Sequence, residues 1–137
     1  MEPAAALADL IEISSQIENA AAFRSDGSRL ASTFDDDALA EPLIGGAREL
    51  LDLAAAAPVG SGRTLTQLEV ALREGSVFVV RDGEVVIAAT TSASPTAGLV
   101  LYDLRTCVRS LAPATGEDTA EASAARRPRR GKKAADA

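Results

Sequence analysis

Two short runs, SVFVVR at 76–81 and VVIAAT at 85–90, are apolar at nearly every position and are joined by Asp82-Gly83. Side chains along a strand alternate between its two faces, so a strand apolar at successive positions has no face suited to water. Asp-Gly tolerates the positive φ angles that a two-residue hairpin needs. The pair predicts an antiparallel hairpin inside a sheet covered on both sides, either by helices on both faces or by a helix on one and a partner on the other.

The rest of the pattern supplies that cover. LTQLEVALRE at 65–74 sets Leu68, Val70 and Leu72 against Gln67, Glu69 and Arg73, so only one face of this strand is apolar, and Gly75 allows the turn into the next strand. Upstream, IENAAAF (17–23) and SRLASTF (28–34) flank a second hairpin signal, Arg24-Ser25-Asp26-Gly27. Helical spacing links Leu7, Leu10, Ile11 and Ser14 over residues 4–16, and Leu101, Leu104, Val108 and Leu111 in a final helix that follows the SASPTAG loop. Asp35-Asp36-Asp37 precedes the longest helix, residues 38 to about 57, whose start is drawn toward Glu41 because Pro42 is best accommodated in a first turn. Within it Leu39, Leu43, Leu50 and Ala54 form one stripe, and Ile44, Ala47, Leu51 and Ala55 an adjoining one. Together they are wider than one sheet contact needs. Gly45-Gly46 costs roughly 1 kcal/mol per glycine relative to alanine in a helix interior, and close packing against another backbone is a reason to tolerate it.

Apolar periodicity stops near Leu111, dividing the chain into a body at 1–112 and a tail at 113–137. A body of roughly 110 residues can bury about two-thirds of its unfolded surface, enough for one core. The single cysteine, Cys107, has no partner for an internal disulfide, the N-terminal stretch carries Glu2, Asp9 and Glu12 with no basic region, and no apolar run reaches the ~18 residues that span a bilayer. A cytoplasmic protein without a transmembrane segment is the expectation. The body carries 16 Asp/Glu against 8 Arg and no Lys, a net charge of −8, and the tail 4 acidic against 6 basic residues, a net of +2. The body therefore repels phosphate backbones. The tail, poor in large apolar residues, is expected to stay disordered.

Helix, hairpin, long helix, three-stranded meander, helix: this αββαβββα order resembles the roadblock/LC7 family. FRSDGSRLAS is similar to the family's first hairpin, and GSVFVVRDGEVVIAATTSASPTAGLVLYDLR to its last hairpin, polar loop and final helix. The resemblance covers about residues 4–112 and implies an α/β protein of α+β layers, with a five-stranded antiparallel sheet and helices on both faces. It also implies a homodimer in which the second helices pack together and the third strands pair, acting as a partner or regulator of a small Ras-like GTPase. An over-wide apolar helix and a one-face-apolar strand are what such an edge needs. The candidate interface is Leu39, Leu43, Ala47, Leu50 and Ala54 on the helix with Leu68 and Val70 on the strand.

Chemistry of the chain's own is not expected. There is no histidine, the commonest general base and metal ligand. Gly60-Ser61-Gly62-Arg63-Thr64 imitates the end of a phosphate-binding loop, yet it lacks the upstream glycine and the lysine, and lies between a helix and a strand. Asp35-Asp36-Asp37 suits helix capping better than Mg²⁺, because consecutive side chains diverge. Cys107, mid-helix and without a histidine to activate it, suits packing. No cofactor and no metal are called for. Tyr102, Arg105 and Arg109 share a helix face that is either solvated or a contact for an acidic patch, and Arg63 or Arg105 are the arginines open to a role at a GTPase site. The rival function lies in the tail, where Arg126, Arg127, Arg129, Arg130, Lys132 and Lys133 suit non-specific, salt-dependent contact with nucleic acid or an anionic surface. In that case the chain is a structural or nucleoid-associated dimer.

Overall fold

The computed structural model describes residues 2–60 and 62–116, with side chains described as far as Leu111. Five antiparallel strands form one sheet in the order β2-β1-β5-β4-β3, where β1 is Ile17–Arg24, β2 Arg29–Ser32, β3 Gln67–Ala71, β4 Ser76–Asp82 and β5 Val85–Thr91. Helices α1 (Pro3–Ile13) and α3 (Ala97–Gly116) cover one face, and α2 (Glu41–Ala56) lies on the other. The expected five-stranded sheet with helices on both faces is the one observed.

The central pair explains the layering. β1 and β5 align Ala20 with Ala89, Ala21 with Ala88 and Ala22 with Ile87, and every one of these side chains is buried. Alternation sends Ala20, Ala22, Ile87 and Ala89 toward Leu7, Leu10, Leu104 and Val108 of α1 and α3. Ala21 and Ala88 go the other way, toward Ile44, Ala47 and Leu51 of α2. Alanine is a poor strand former in isolation. Here its small volume lets helices bearing large side chains approach the sheet closely.

Two tight turns end the sheet on one side. Gly27 (φ +97°) and Gly83 (φ +63°) occupy the left-handed region that the two Asp-Gly signals predict. At the first turn the Asp26 carboxylate accepts hydrogen bonds from the Ser28 hydroxyl and, at 2.9 Å, the Ser28 amide, and these hold its pKa below the usual carboxylate value. The Ser25 hydroxyl donates to Glu84, tying one hairpin turn to the other.

Of the three consecutive aspartates, Asp36 accepts the Ala38 amide at 2.9 Å and caps a 3₁₀ turn at Asp37–Ala40 that leads into α2 with Pro42 in its first turn. The helix thus starts at Glu41 rather than at residue 38. Asp37 and Glu41 both engage Arg29 of β2. At the other end of the chain, helical backbone continues through Pro113 to Gly116, past the boundary that loss of apolar periodicity placed at 112.

Gly75 and Gly45-Gly46 have opposite surroundings. A Cβ on Gly75 would sit 2.1 Å from the Thr91 carbonyl oxygen, whereas one on Gly45 or Gly46 meets nothing within 4 Å. Among the described residues the close approach expected of the helical glycines is therefore absent. Two outcomes follow for chemical denaturation. Gly75→Ala should lower stability by about 1–3 kcal/mol through a backbone clash. Gly45→Ala should raise it by up to about 1 kcal/mol, because helix propensity is the only change.

Candidate partner interface

The face of the sheet beneath α2 is incompletely covered. Ile44, Ala47 and Leu51 point down into the core with Phe23, Val79, Val86 and Ala88, but α2 lies over β1 and β5, leaving β4 and β3 beside it. On that uncovered flank Leu68, Leu65 and Val77 are only half-buried. Register aligns Leu68 with Val79 and Val70 with Val77, so alternation places Leu68 and Val70 on the α2 side. Among the described residues β3 pairs with β4 alone and no strand lies against its outer edge.

The 3₁₀ turn that carries Leu39 and the flank of α2 after it share an apolar stripe. Leu39, Leu43, Gly46, Leu50 and Leu53 recur at spacings of four, three, four and three, and each is exposed or half-buried, Leu39 at 57% and Leu53 at 64%. Of the seven residues that the sequence nominates, Leu39, Leu43, Leu50 and Ala54 lie along or beside this stripe, and Leu68 and Val70 line the adjacent sheet. Ala47 does not belong with them: at 1% exposure it is part of the core, one of the residues by which α2 grips the sheet. Leu53, exposed on the same stripe, is absent from the residues that the sequence nominates. Its spacing of fourteen from Leu39 and seven from Gly46 is the signal that finds it, once Gly46 counts as a member of the stripe. Leu72 lies beyond the end of β3, 56% exposed.

Elsewhere the charged groups sort themselves around α3. Arg105 donates from Nη1 to Gln67 Oε1 at 2.8 Å, and with Arg109 it lines a cavity of about 230 Å³ between α3 and the strand side that carries Thr66, Gln67 and Val80. Tyr102 does not share that cavity; it lines a groove between α1 and α3 instead. Cys107 also borders this groove, buried, its thiol directed at the Ala6 carbonyl 3.7 Å away. Burial first, and the negative charge of Asp9 second, push its pKa up to about 11. Gly62 (φ +73°) and Arg63 belong to the connection from α2 to β3, so the Gly-Ser-Gly stretch has the helix–loop–strand setting that argues against a phosphate cradle. Among the described residues no group of three His, Cys, Asp or Glu side chains is placed to hold a metal, and no helix is long and apolar enough to cross a membrane. Arg126, Arg127, Arg129, Arg130, Lys132 and Lys133 lie outside the described residues.

No family model and no curated protein matches the chain by sequence. Solved structures do match it by shape. A roadblock/LC7 domain from Streptomyces avermitilis superposes with a TM-score of 0.76 at 19% identity, over 84% of this chain and 98% of that one. Myxococcus xanthus MglB gives 0.67 at 15% identity, over 89% and 93%. Acanthamoeba castellanii profilin II gives 0.56 at 12% identity, over 83% and 99%. The chain has the roadblock/LC7 fold.

The thiol supplies a pH test. With a pKa of about 11 instead of the ordinary 9.0, Cys107 stays protonated in the folded chain at neutral pH. Alkylation by iodoacetamide should be slow until the pH nears 11 or the protein unfolds. The folded state holds the proton more tightly, so the thiol's contribution to stability is complete below about pH 9 and declines as the pH rises from 9 toward 11. Rapid alkylation at pH 7.5 without unfolding would place the thiol at the surface.

Proposed function

We propose that the chain is a homodimeric regulatory or scaffold protein whose body binds a small Ras-like GTPase or a related signalling partner in the cytoplasm. The observation that supports this most directly is the stripe Leu39-Leu43-Gly46-Leu50-Leu53, set beside a half-covered sheet flank and a free strand edge. An apolar stripe at alternating spacings of four and three is the pattern by which one helix seats a second. The open space around Gly46 gives that glycine a use between protomers, where two helix backbones can come close. Pairing of β3 with its copy would satisfy the unpaired edge in the same assembly. The roadblock/LC7 fold supports a GTPase as the partner, since the family's bacterial members resemble regulators of such proteins. The chain then acts by binding, holding the mobile loops of the partner rather than performing chemistry with groups of its own.

Light scattering of the full chain over a concentration series tests the assembly. A dimer is expected, and Leu43→Asp or Leu50→Asp should yield folded monomers, because both side chains lie at the flank. Leu51→Asp, in contrast, buries a charge under α2 and should unfold the protein. Retention of small Ras-like GTPases on the immobilised full chain, each loaded with GDP or with a non-hydrolysable GTP analogue, tests the partner. Retention in one nucleotide state, lost in the monomeric variants, is the expected result. A wild-type chain that stays monomeric at every concentration, or a dimer that retains no GTPase in either state, would sink the corresponding half of the proposal.

A further inference from the structure

On the face opposite α2, the groove between α1 and α3 encloses about 240 Å³. Ala6, Leu10, Ile13 and Cys107 make its apolar lining, Tyr102 stands 64% exposed beside it, and Asp9 and Asp103 border it from the two helices. Among the described residues neither carboxylate has an ion-pair or hydrogen-bond partner. α1 contains no cation at all, only Asp9 and Glu12, with Glu2 at its cap. The two described arginines of α3 lie elsewhere, in the cavity toward Thr66 and Gln67. An apolar trough between unpaired carboxylates suits a long cationic side chain, which can lay its methylene stem on the apolar surface and direct its charged end to the acids. The exposed ring of Tyr102 adds a face for a guanidinium.

The chain carries its own candidate ligand. The only lysines in the sequence and four of its arginines fall within RRPRRGKK, residues 126–133. Ten residue steps separate Gly116, where α3 ends, from Arg126, and an extended chain of that length spans about 33 Å. From Gly116 back along α3 to Asp103 is about 20 Å at 1.5 Å per residue. The connection is long enough to turn back and lay the basic segment on the groove, and the tether makes its local concentration high. We propose that the segment 126–133 docks in cis onto the acidic groove between α1 and α3, with Asp9 and Asp103 as its anchors. Docking neutralises part of the body's −8 charge and occupies the cations that would otherwise meet a polyanion. The groove is on the far side of the sheet from the proposed dimer surface, so the two proposals stand independently.

Carbodiimide coupling of the full chain at low salt tests the placement, since it joins a lysine amine to a carboxylate in direct contact. Mass spectrometry should find Lys132 or Lys133 joined chiefly to Asp9 and Asp103. Those links should be lost in about 1 M salt, where charges more than about 3 Å apart are screened. They should also be lost when Arg126, Arg127, Arg129 and Arg130 are replaced by serine, although both lysines remain. Asp9→Asn with Asp103→Asn should abolish the groove links without unfolding the chain, as checked by circular dichroism. Lysines joined indiscriminately to carboxylates all over the body, or not joined at all, overturn the proposal. So do links that form only between differently isotope-labelled copies, because the placement is in cis.

Discussion

The architecture depends on a central pair of strands that cannot be left wet on either side. β1 and β5 bury alanines toward both layers, so helices must lie above and below them. Five strands at about 4.8 Å spacing make a sheet about 19 Å across, and a packed helix covers about 10–12 Å. Two helices, α1 and α3, suffice for one face. The single helix α2 does not suffice for the other. With α2 drawn to the central pair by Ile44, Ala47 and Leu51, the thinly covered strip falls over β3 and the Val77 end of β4, while Val79 of β4 stays buried. The exposed apolar strip is thus a consequence of having three helices for a two-faced sheet.

Much of this was legible in the sequence, because most of the elements announce themselves through turn chemistry and period. Asp26-Gly27 and Asp82-Gly83 locate both hairpins, and both glycines adopt the positive φ that those dipeptides imply. The alternation of Leu68 and Val70 with Gln67 and Glu69 identifies a strand with one wet face, as an edge strand should have. Two things were not legible. Periodicity locates an apolar stripe on α2 but not the angle at which the helix meets the sheet, so it groups Ala47 with the candidate interface although the residue grips the core. Periodicity also treats glycine as a gap, which hid the continuity from Leu43 through Gly46 and Leu50 to Leu53. The groove between α1 and α3 had no local signal at all, since Asp9 and Asp103 are ninety-four positions apart and only the packing of two terminal helices brings them to one trough.

α3 separates two environments of opposite charge. Its side toward α1 offers Asp103 across from Asp9, and its side toward β3 offers Arg105 and Arg109. In a body with twice as many acids as arginines, gathering two arginines on one side leaves the other without counter-charge. The raised pKa of Cys107 is a local sign of that, because Asp9 adds to the effect of burial at the floor of the trough. The same helix that completes the core thereby sets where a cationic and where an anionic ligand can approach.

The two sheet edges differ in a way that bears on assembly. β2 is four residues long, and Arg29 at its start is held by Asp37 and Glu41, while its outer neighbour Thr33 turns back to bond Ala20 and Asn19. A short, charged and cross-tied strand is a poor template for another strand. β3 has no such protection on its α2 side, where Leu68 and Val70 stand beside the α2 stripe and Leu72 follows at the strand's end. An unprotected edge with apolar side chains on one face is an aggregation hazard unless something pairs with it. In the proposed homodimer a second copy of the chain would meet both requirements at once, offering a strand to the edge and a helix to the strip. Either contact alone would leave the other apolar surface in water, so the proposed interface joins edge pairing to helix packing.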